Sequence, residues 1–321
     1  MLFTEPTFLA FIAIVFVAYW GLRQRVAQNV LLVIAGAAFY GWVHPAWLLL
    51  LYGTAGLDYL MGRRIEADRR NGRLYVALSV LGNLGLLAYF KYTDFLVENL
   101  VAALAQLGVR TNLSTIGVLL PVGLSFYTFQ SMAYTIDVYR GVSRARRNLL
   151  DYAVFASFFP QLVAGPIERA GNLLVQVERD RSFRARQVWR GLVLALWGGF
   201  KKVAIADMLA PYVDNIFIMV DPPAILALLS GLYAFSFQIY GDFSGYSDIA
   251  RGVAKLLGFE LMINFQAPYL SRNITEFWRR WHISLSTGLR DYLYIPLGGS
   301  RKGKRRTYIN LFITMLLGGL W

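Results

Sequence analysis

The stretch Glu276–Ser286, EFWRRWHISLS, carries one of only two histidines in a chain of 321 residues and sets it among two tryptophans and two arginines. An imidazole changes protonation near neutral pH, so it suits a general base that takes the proton from a hydroxyl. Read as a helix, the segment puts Trp278, Trp281, His282, Leu285 and Leu289 on one face. Glu276 and Arg280 form an i,i+4 pair in the favourable order. His282 then points inward with the tryptophans, and Arg279 and Arg280 turn toward another face or a polar cavity. An ionisable group in such a place is costly and marks a functional site. The same position equally suits an interfacial histidine bonded to a backbone carbonyl. The other histidine, His44, sits beside Pro45 in an expected external turn and reads as structural.

A second polar island is QIYGDFSGYSDIARG, Gln238–Gly252. Asp242, Ser244, Ser247 and Asp248 cluster there with Gly241 and Gly245, which are expected to break the helix. One reading is a bend lining a polar tunnel, with Asp242 on its wall; the other is a helix cap that starts a new helix at Ser247. The spacing matches no metal-ligand pattern, and no metal is expected. P-loop, GxGxxG, HExxH and GxSxG motifs are absent. With no cysteine in the chain, disulfides, thiol catalysis and thiolate metal sites are excluded.

The elements that must position these residues are apolar. The chain is 57% hydrophobic and 16% charged, with a mean hydropathy of +0.47, against about 25% charge in soluble domains. A net charge of +13 could suit nucleic acid, but the basic residues lie between apolar runs. Retention of positive charge on the cytoplasmic side of a bilayer explains them better, so no nucleic acid is expected. The fold class implied is all-α: a polytopic transmembrane protein. Candidate spans are Phe3–Leu22, Val26–Val43, Pro45–Gly62, Leu74–Phe90, Ile116–Val138 and Ala224–Tyr240. The arginine-rich loop Arg63–Arg73 places the N-terminus outside. Asp94–Gly108 reads as a separate interfacial segment, Arg169–Arg190 as a surface helix, and Val188–Val220 as an apolar run interrupted at Lys201-Lys202, giving either two half-spans or a helix with an interfacial bend. Tyr152–Ile167, with Pro160, Gly165 and Pro166, reads as broken or re-entrant. The basic run Arg301–Arg306 reads as a cytoplasmic anchor. Tyr308–Trp321 begins a run of 14 residues, too short to cross ~30 Å of hydrocarbon, so the sequence reads as unfinished.

Three motifs carry a family resemblance. Asn264–Arg306 (NFQAPYLSRNITEFWRRWHISLSTGLRDYLYIPLGGSRKGKRR), Phe158–Ala170 (FFPQLVAGPIERA) and Gly241–Gly252 (GDFSGYSDIARG) resemble, in their order along the chain, the membrane-bound O-acyltransferase family. Within it, RDYLYIPLGGSR resembles the alginate O-acetylation branch. The resemblance implies one transmembrane domain over residues 1–321, with broken or re-entrant helices around a tunnel and a C-terminal part missing. It implies transfer of an acyl group from a cytoplasmic donor, acetyl-CoA, to an exported polysaccharide such as alginate, directly or through a periplasmic acetyltransferase or esterase-like partner. No bound cofactor is implied beyond that donor substrate.

The implied setting is the bacterial inner membrane, multi-pass, with the bilayer itself as a partner. His282 matches one of two important family histidines; the other belongs to a GLWHG-like motif, of which Gly318–Trp321 supplies GGLW. His282 would be catalytic, Trp278 and Trp281 would wall the cavity, and Arg279, Arg280 or Arg290 would engage phosphate or developing charge. Asp242 and Asn264 would support the tunnel. A non-catalytic transporter or scaffold subunit and an inactive fragment are the competing expectations.

Overall fold

The structure, a computed structural model, describes residues 1–109, 111, 115, 117, 119–163, 165–218 and 224–321. Ile116, Val118, Ala164, Met219 and Val220, which fall in expected spans, lie outside the described residues. Among those described, the regular structure is helical throughout. The helices are α1 (Pro6–Gly21), α2 (Arg25–Gly41), α3 (Trp47–Ala67), α4 (Gly72–Gln106), α5 (Leu124–Arg140), α6 (Leu149–Ser157) and α7 (Phe159–Leu162). They continue as α8 (Ala170–Val177), α9 (Ala185–Phe200), α10 (Asp207–Ile218), α11 (Ile225–Leu256), α12 (Ile274–Arg280), α13 (Ile283–Leu289) and α14 (Gly303–Leu320).

Among the described residues, one helix, α4, is long and apolar enough to cross a membrane, and α1 and α2 are shorter apolar helices. The outward faces are apolar as well: Leu9, Ile14 and Val17 of α1 and Leu226 and Tyr233 of α11 are all exposed. So much exposed hydrocarbon marks a surface meant for a partner or a membrane rather than for water.

Several expectations need correction. The segment Asp94–Gly108 is no separate interfacial piece, because α4 runs unbroken for 35 residues to Gln106. Nothing in Lys91–Asp94 breaks a helix, and a polar turn alone does not stop one. The span expected from Ile116 starts later, at Leu124, after Pro121 and a left-handed Gly123. The stretch Arg169–Arg190 is not one surface helix: α8 buries Leu173, Leu174 and Val177, spaced three and four apart, and α9 begins only at Ala185. The break inside Tyr152–Ile167 is present, at an extended Phe158 between α6 and α7.

Two compact units divide the chain. One comprises Leu32–Phe158 and Arg169–Leu174. Its polar centre is Asp58, which is fully buried and accepts hydrogen bonds from Ser79, from Asn83 at 2.8 Å and from Thr135 at 3.0 Å. Tyr134 packs on Tyr152 nearby, and its hydroxyl accepts the Arg146 N–H at 2.9 Å.

The other unit comprises Met1–Leu31, Phe159–Glu168 and Val175–Trp321, and it contains His282. Its backbone is the close pairing of α9 with α11. Gly241 and Gly245 do not bend α11, which runs continuously for 32 residues, and no new helix starts at Ser247. The glycines serve approach instead. A Cβ on Gly198 would lie 2.6 Å from the Gly245 carbonyl oxygen, and one on Gly252 would lie 2.6 Å from that of Gly191. The pairing of 191 with 252 and of 198 with 245 makes the helices antiparallel, with small residues one heptad apart on both. Between α9 and α10 the backbone widens into a π-helical turn, Lys201–Ala206. The interruption expected at Lys201-Lys202 is therefore neither a gap nor a split into two half-spans.

Candidate functional site

His282 does not ride on a continuous helix. The helix α12 starts with Asn273 accepting the Glu276 N–H at 2.9 Å, while the Glu276 carboxylate accepts the Arg272 N–H at 3.0 Å. That backbone N–H, followed by the charge of Arg280, holds the Glu276 carboxyl below its usual range. The expected Glu276–Arg280 pair is made, at 2.5 Å. The helix then stops at Arg280. Trp281 is extended, with ψ 128°, and His282 is left-handed, with φ 42° and ψ 56°. For a residue with a Cβ this is an uncommon conformation, and such outliers cluster at functional sites.

Chain trajectory here is set from outside the segment. The Asn264 carbonyl oxygen accepts the Ile283 N–H at 2.9 Å, and its side-chain oxygen accepts the Ser284 N–H at 3.1 Å. The Asn264 amide in turn donates to Ser247 Oγ of α11 at 3.2 Å, and the Gln266 N–H donates to the Arg280 carbonyl at 3.0 Å. Two early N–H groups of α13 are thus satisfied by one asparagine, and a third, from Leu285, points at His282 Nδ1 at 3.4 Å. The expected common face of Trp278, Trp281 and His282 does not exist, because the break turns α13 away from the line of α12.

The imidazole is 6% exposed and lies edge-on to Phe243 of α11, with ring centres 4.6 Å apart, while Phe265 is 6.3 Å away. Burial pushes its pKa down to about 4, so it is neutral at physiological pH. Ser284 Oγ lies 3.4 Å from Nδ1 and accepts the Ile167 N–H at 3.1 Å, which ties the Phe158–Ala170 motif to the histidine. Trp281 forms the next layer: it stacks on Phe277 at 5.5 Å and meets Phe265 at 5.1 Å and Tyr240 at 6.3 Å.

The remaining candidate residues are dispersed. Trp278 is 39% exposed and touches Phe277. Arg279 is exposed, Arg280 is engaged by Glu276, and Arg290 is exposed and paired with Asp291 at 2.7 Å. Asp242 pairs with Lys202 at 2.6 Å. The second polar island is thus divided: Ser247 serves Asn264, Ser244 and Asp248 hold Lys201, and Asp242 holds Lys202. His44 stacks on Trp47 at 5.5 Å. The structure adds Phe243, Phe265 and Ser284 to the site. Of these, only Ser284 had a signal in the sequence, as the hydroxyl two residues after the histidine.

The profile of the membrane-bound O-acyltransferase family matches residues 142–321. A probable alginate O-acetylase AlgI from Pseudomonas aeruginosa is 45% identical over 324 aligned residues, covering all of this chain and 62% of the relative. The peptidoglycan O-acetyltransferase of Helicobacter pylori is 36% identical, covering all of this chain and 66% of that protein. A teichoic acid D-alanyltransferase from Bacillus subtilis is 28% identical over 62% of this chain and 53% of its own length. The chain therefore spans roughly three-fifths of the alginate relatives it matches, 62% in the Pseudomonas aeruginosa case.

Proposed function

Because the chain belongs to the membrane-bound O-acyltransferase family, we propose that it forms the His282-bearing part of an O-acetyltransferase of the bacterial inner membrane, acting on an exported polysaccharide. Similarity along all of this chain to proteins named for alginate O-acetylation favours a uronic-acid polymer; the Helicobacter pylori relative points to a peptidoglycan acceptor instead. The donor is acetyl-CoA on the cytoplasmic side, and a periplasmic esterase-like partner receives the acetyl group or passes it on. The chain is multi-pass with its N-terminus outside. The broken helices α12 and α13 border a tunnel that lets donor and acceptor meet.

The observation that carries this reading is a buried imidazole held in a left-handed turn between two short helices. Neutral imidazole is the form a general base requires. A neutral imidazole keeps one ring nitrogen unprotonated, and that nitrogen accepts the acceptor's hydroxyl proton. The hydroxyl oxygen bonds to the thioester carbonyl carbon, the C–S bond breaks, and the departing thiolate takes the proton from His282. Acetyl has then moved from sulfur to oxygen, and the imidazole is neutral again. Ser284 Oγ, fixed by the Ile167 N–H, and the Leu285 N–H both face Nδ1 and orient the ring.

The test uses inside-out membrane vesicles that contain the full-length protein and labelled acetyl-CoA, with ester label in the polymer as the readout. Loss of label in His282→Asn, with normal insertion, supports catalysis. Undiminished label leaves a transporter or scaffold role in its place.

A further inference from the structure

A cleft of about 330 Å³ opens in the His282-bearing unit, lined by Trp197, Lys201, Ile205, Phe237, Tyr240 and Tyr269 among others. This is the size range of small-ligand sites. Its rim is apolar and open: Trp197 and Phe237 are each 55% exposed, and Leu270, at its edge, is 76% exposed. The same face continues through exposed Leu196, Phe200 and Tyr233. In a membrane-bound family this surface meets hydrocarbon, and a hollow open to hydrocarbon fills with it.

One wall is polar. Lys201, on the π-helical turn, is one of the lining residues. It donates to Asp248 at 2.6 Å and to Ser244 at 3.0 Å, and the Tyr240 ring centre lies 5.9 Å away. Its charge is already paired with a carboxylate. An ammonium has three donors, and two of these go to Asp248 and Ser244. What suits the third is a neutral oxygen rather than another full charge. A slender apolar hollow with one paired ammonium on its wall fits an alkyl chain ending in a carbonyl.

We propose that this cleft holds one acyl chain of a bilayer phospholipid, with the chain's ester carbonyl oxygen on Lys201. The cleft shares Tyr240 and Tyr269 with the rings around Trp281, so the lipid braces the wall behind the α12–α13 break. The proposal requires membrane placement but not the acyl-transfer chemistry of His282.

The experiment places the full-length protein in nanodiscs with a phosphatidylcholine carrying a diazirine in mid-chain, then irradiates and maps adducts by peptide mass spectrometry. Labelling of the segments 237–241 and 267–270 is expected to exceed that of the outer face of α1 by about tenfold, the ratio that roughly 1.4 kcal/mol of preference gives. Ile205→Trp, which fills the cleft, should bring it down to the α1 level. The ether-linked analogue lacks the carbonyl and should label the cleft more weakly with the protein unchanged. Exchanging choline for glycerol in the headgroup should change nothing. Equal labelling of cleft and α1 face, or full labelling in Ile205→Trp, reduces the cleft to ordinary lipid solvation and overturns the proposal. Equal labelling by ester and ether lipids, or a marked preference for the anionic headgroup, overturns the carbonyl assignment.

Discussion

Asn264 lies alongside Ser284 so that its side-chain oxygen takes the Ser284 N–H at 3.1 Å, while its amide reaches Ser247 on α11 at 3.2 Å. One buried side chain thus fixes both the N-terminus of α13 and its distance from the long helix. Asn264→Ala leaves a donor and an acceptor without partners and should cost about 1–3 kcal/mol. The expected outcome is a lowered apparent melting temperature in detergent, with acetyl transfer reduced by misplacement of His282. Asn264→Ala with unchanged melting and unchanged transfer would mean that the turn is held by other contacts.

His282 has two jobs that substitution can separate. As the cap of α13 it sits in a left-handed conformation and meets the Leu285 N–H. Asparagine tolerates that conformation and is among the best caps, so His282→Asn should fold and insert normally. It has no group able to take a proton near neutral pH, so transfer should fall by about 10²–10⁴-fold. His282→Ala should lose both functions. If His282→Asn retained near-full transfer, the histidine would be a cap alone.

The Glu276–Arg280 pair was legible in the sequence because an i,i+4 rule needs only local spacing. The break in Tyr152–Ile167 was legible too, because proline and glycine act locally. The turn at His282 was not. Nothing in WRRWHIS breaks a helix by propensity; the chain turns because Asn264, 20 residues away by the Ser284 contact, satisfies the amides of α13. The fate of Gly241 and Gly245 was hidden for a similar reason. Glycine permits both a bend and a close approach, and only the facing glycines of α9 decide between them.

Ser284 should act through the imidazole rather than on substrate. Its hydroxyl accepts the Ile167 N–H and faces Nδ1. Ser284→Ala removes the hydroxyl that faces Nδ1 and loosens the orientation of the ring. The expected result is a lower kcat with little change in KM for acetyl-CoA, partly restored in Ser284→Thr. A merely structural role would lower the melting temperature and leave the kinetics of the folded fraction unaltered.

The depressed pKa of His282 sets the sign of a pH effect. Unfolded, the imidazole protonates near its ordinary 6.5; in the fold, burial moves this to about 4. Between these values the unfolded chain binds more protons, so stability falls as pH drops from about 6.5 to about 4 and is level above. Melting temperatures measured at pH 7.5, 6 and 5 should decline for the wild type by more than for His282→Asn. Parallel declines in the two proteins would assign the effect to other groups.

The α9–α11 interface offers the sharpest contrast between neighbouring positions. A Cβ on Gly198 would stand 2.6 Å from the Gly245 carbonyl oxygen and 2.7 Å from the Ile249 nitrogen, whereas one on Gly199 meets nothing within 4 Å. The backbone on both sides cannot yield without separating the helices, so Gly198→Ala should destabilise by about 1–3 kcal/mol. Gly199→Ala adds a better helix former in open space and should be neutral or stabilising by up to about 1 kcal/mol. Phe243 and Ser247 lie on α11 and touch the site, so Gly198→Ala should also lower acetyl transfer, while Gly199→Ala should not. Thermal scans and transfer assays of the two variants side by side test the assignment. Equal behaviour would show that α9 and α11 are not in backbone contact at this point.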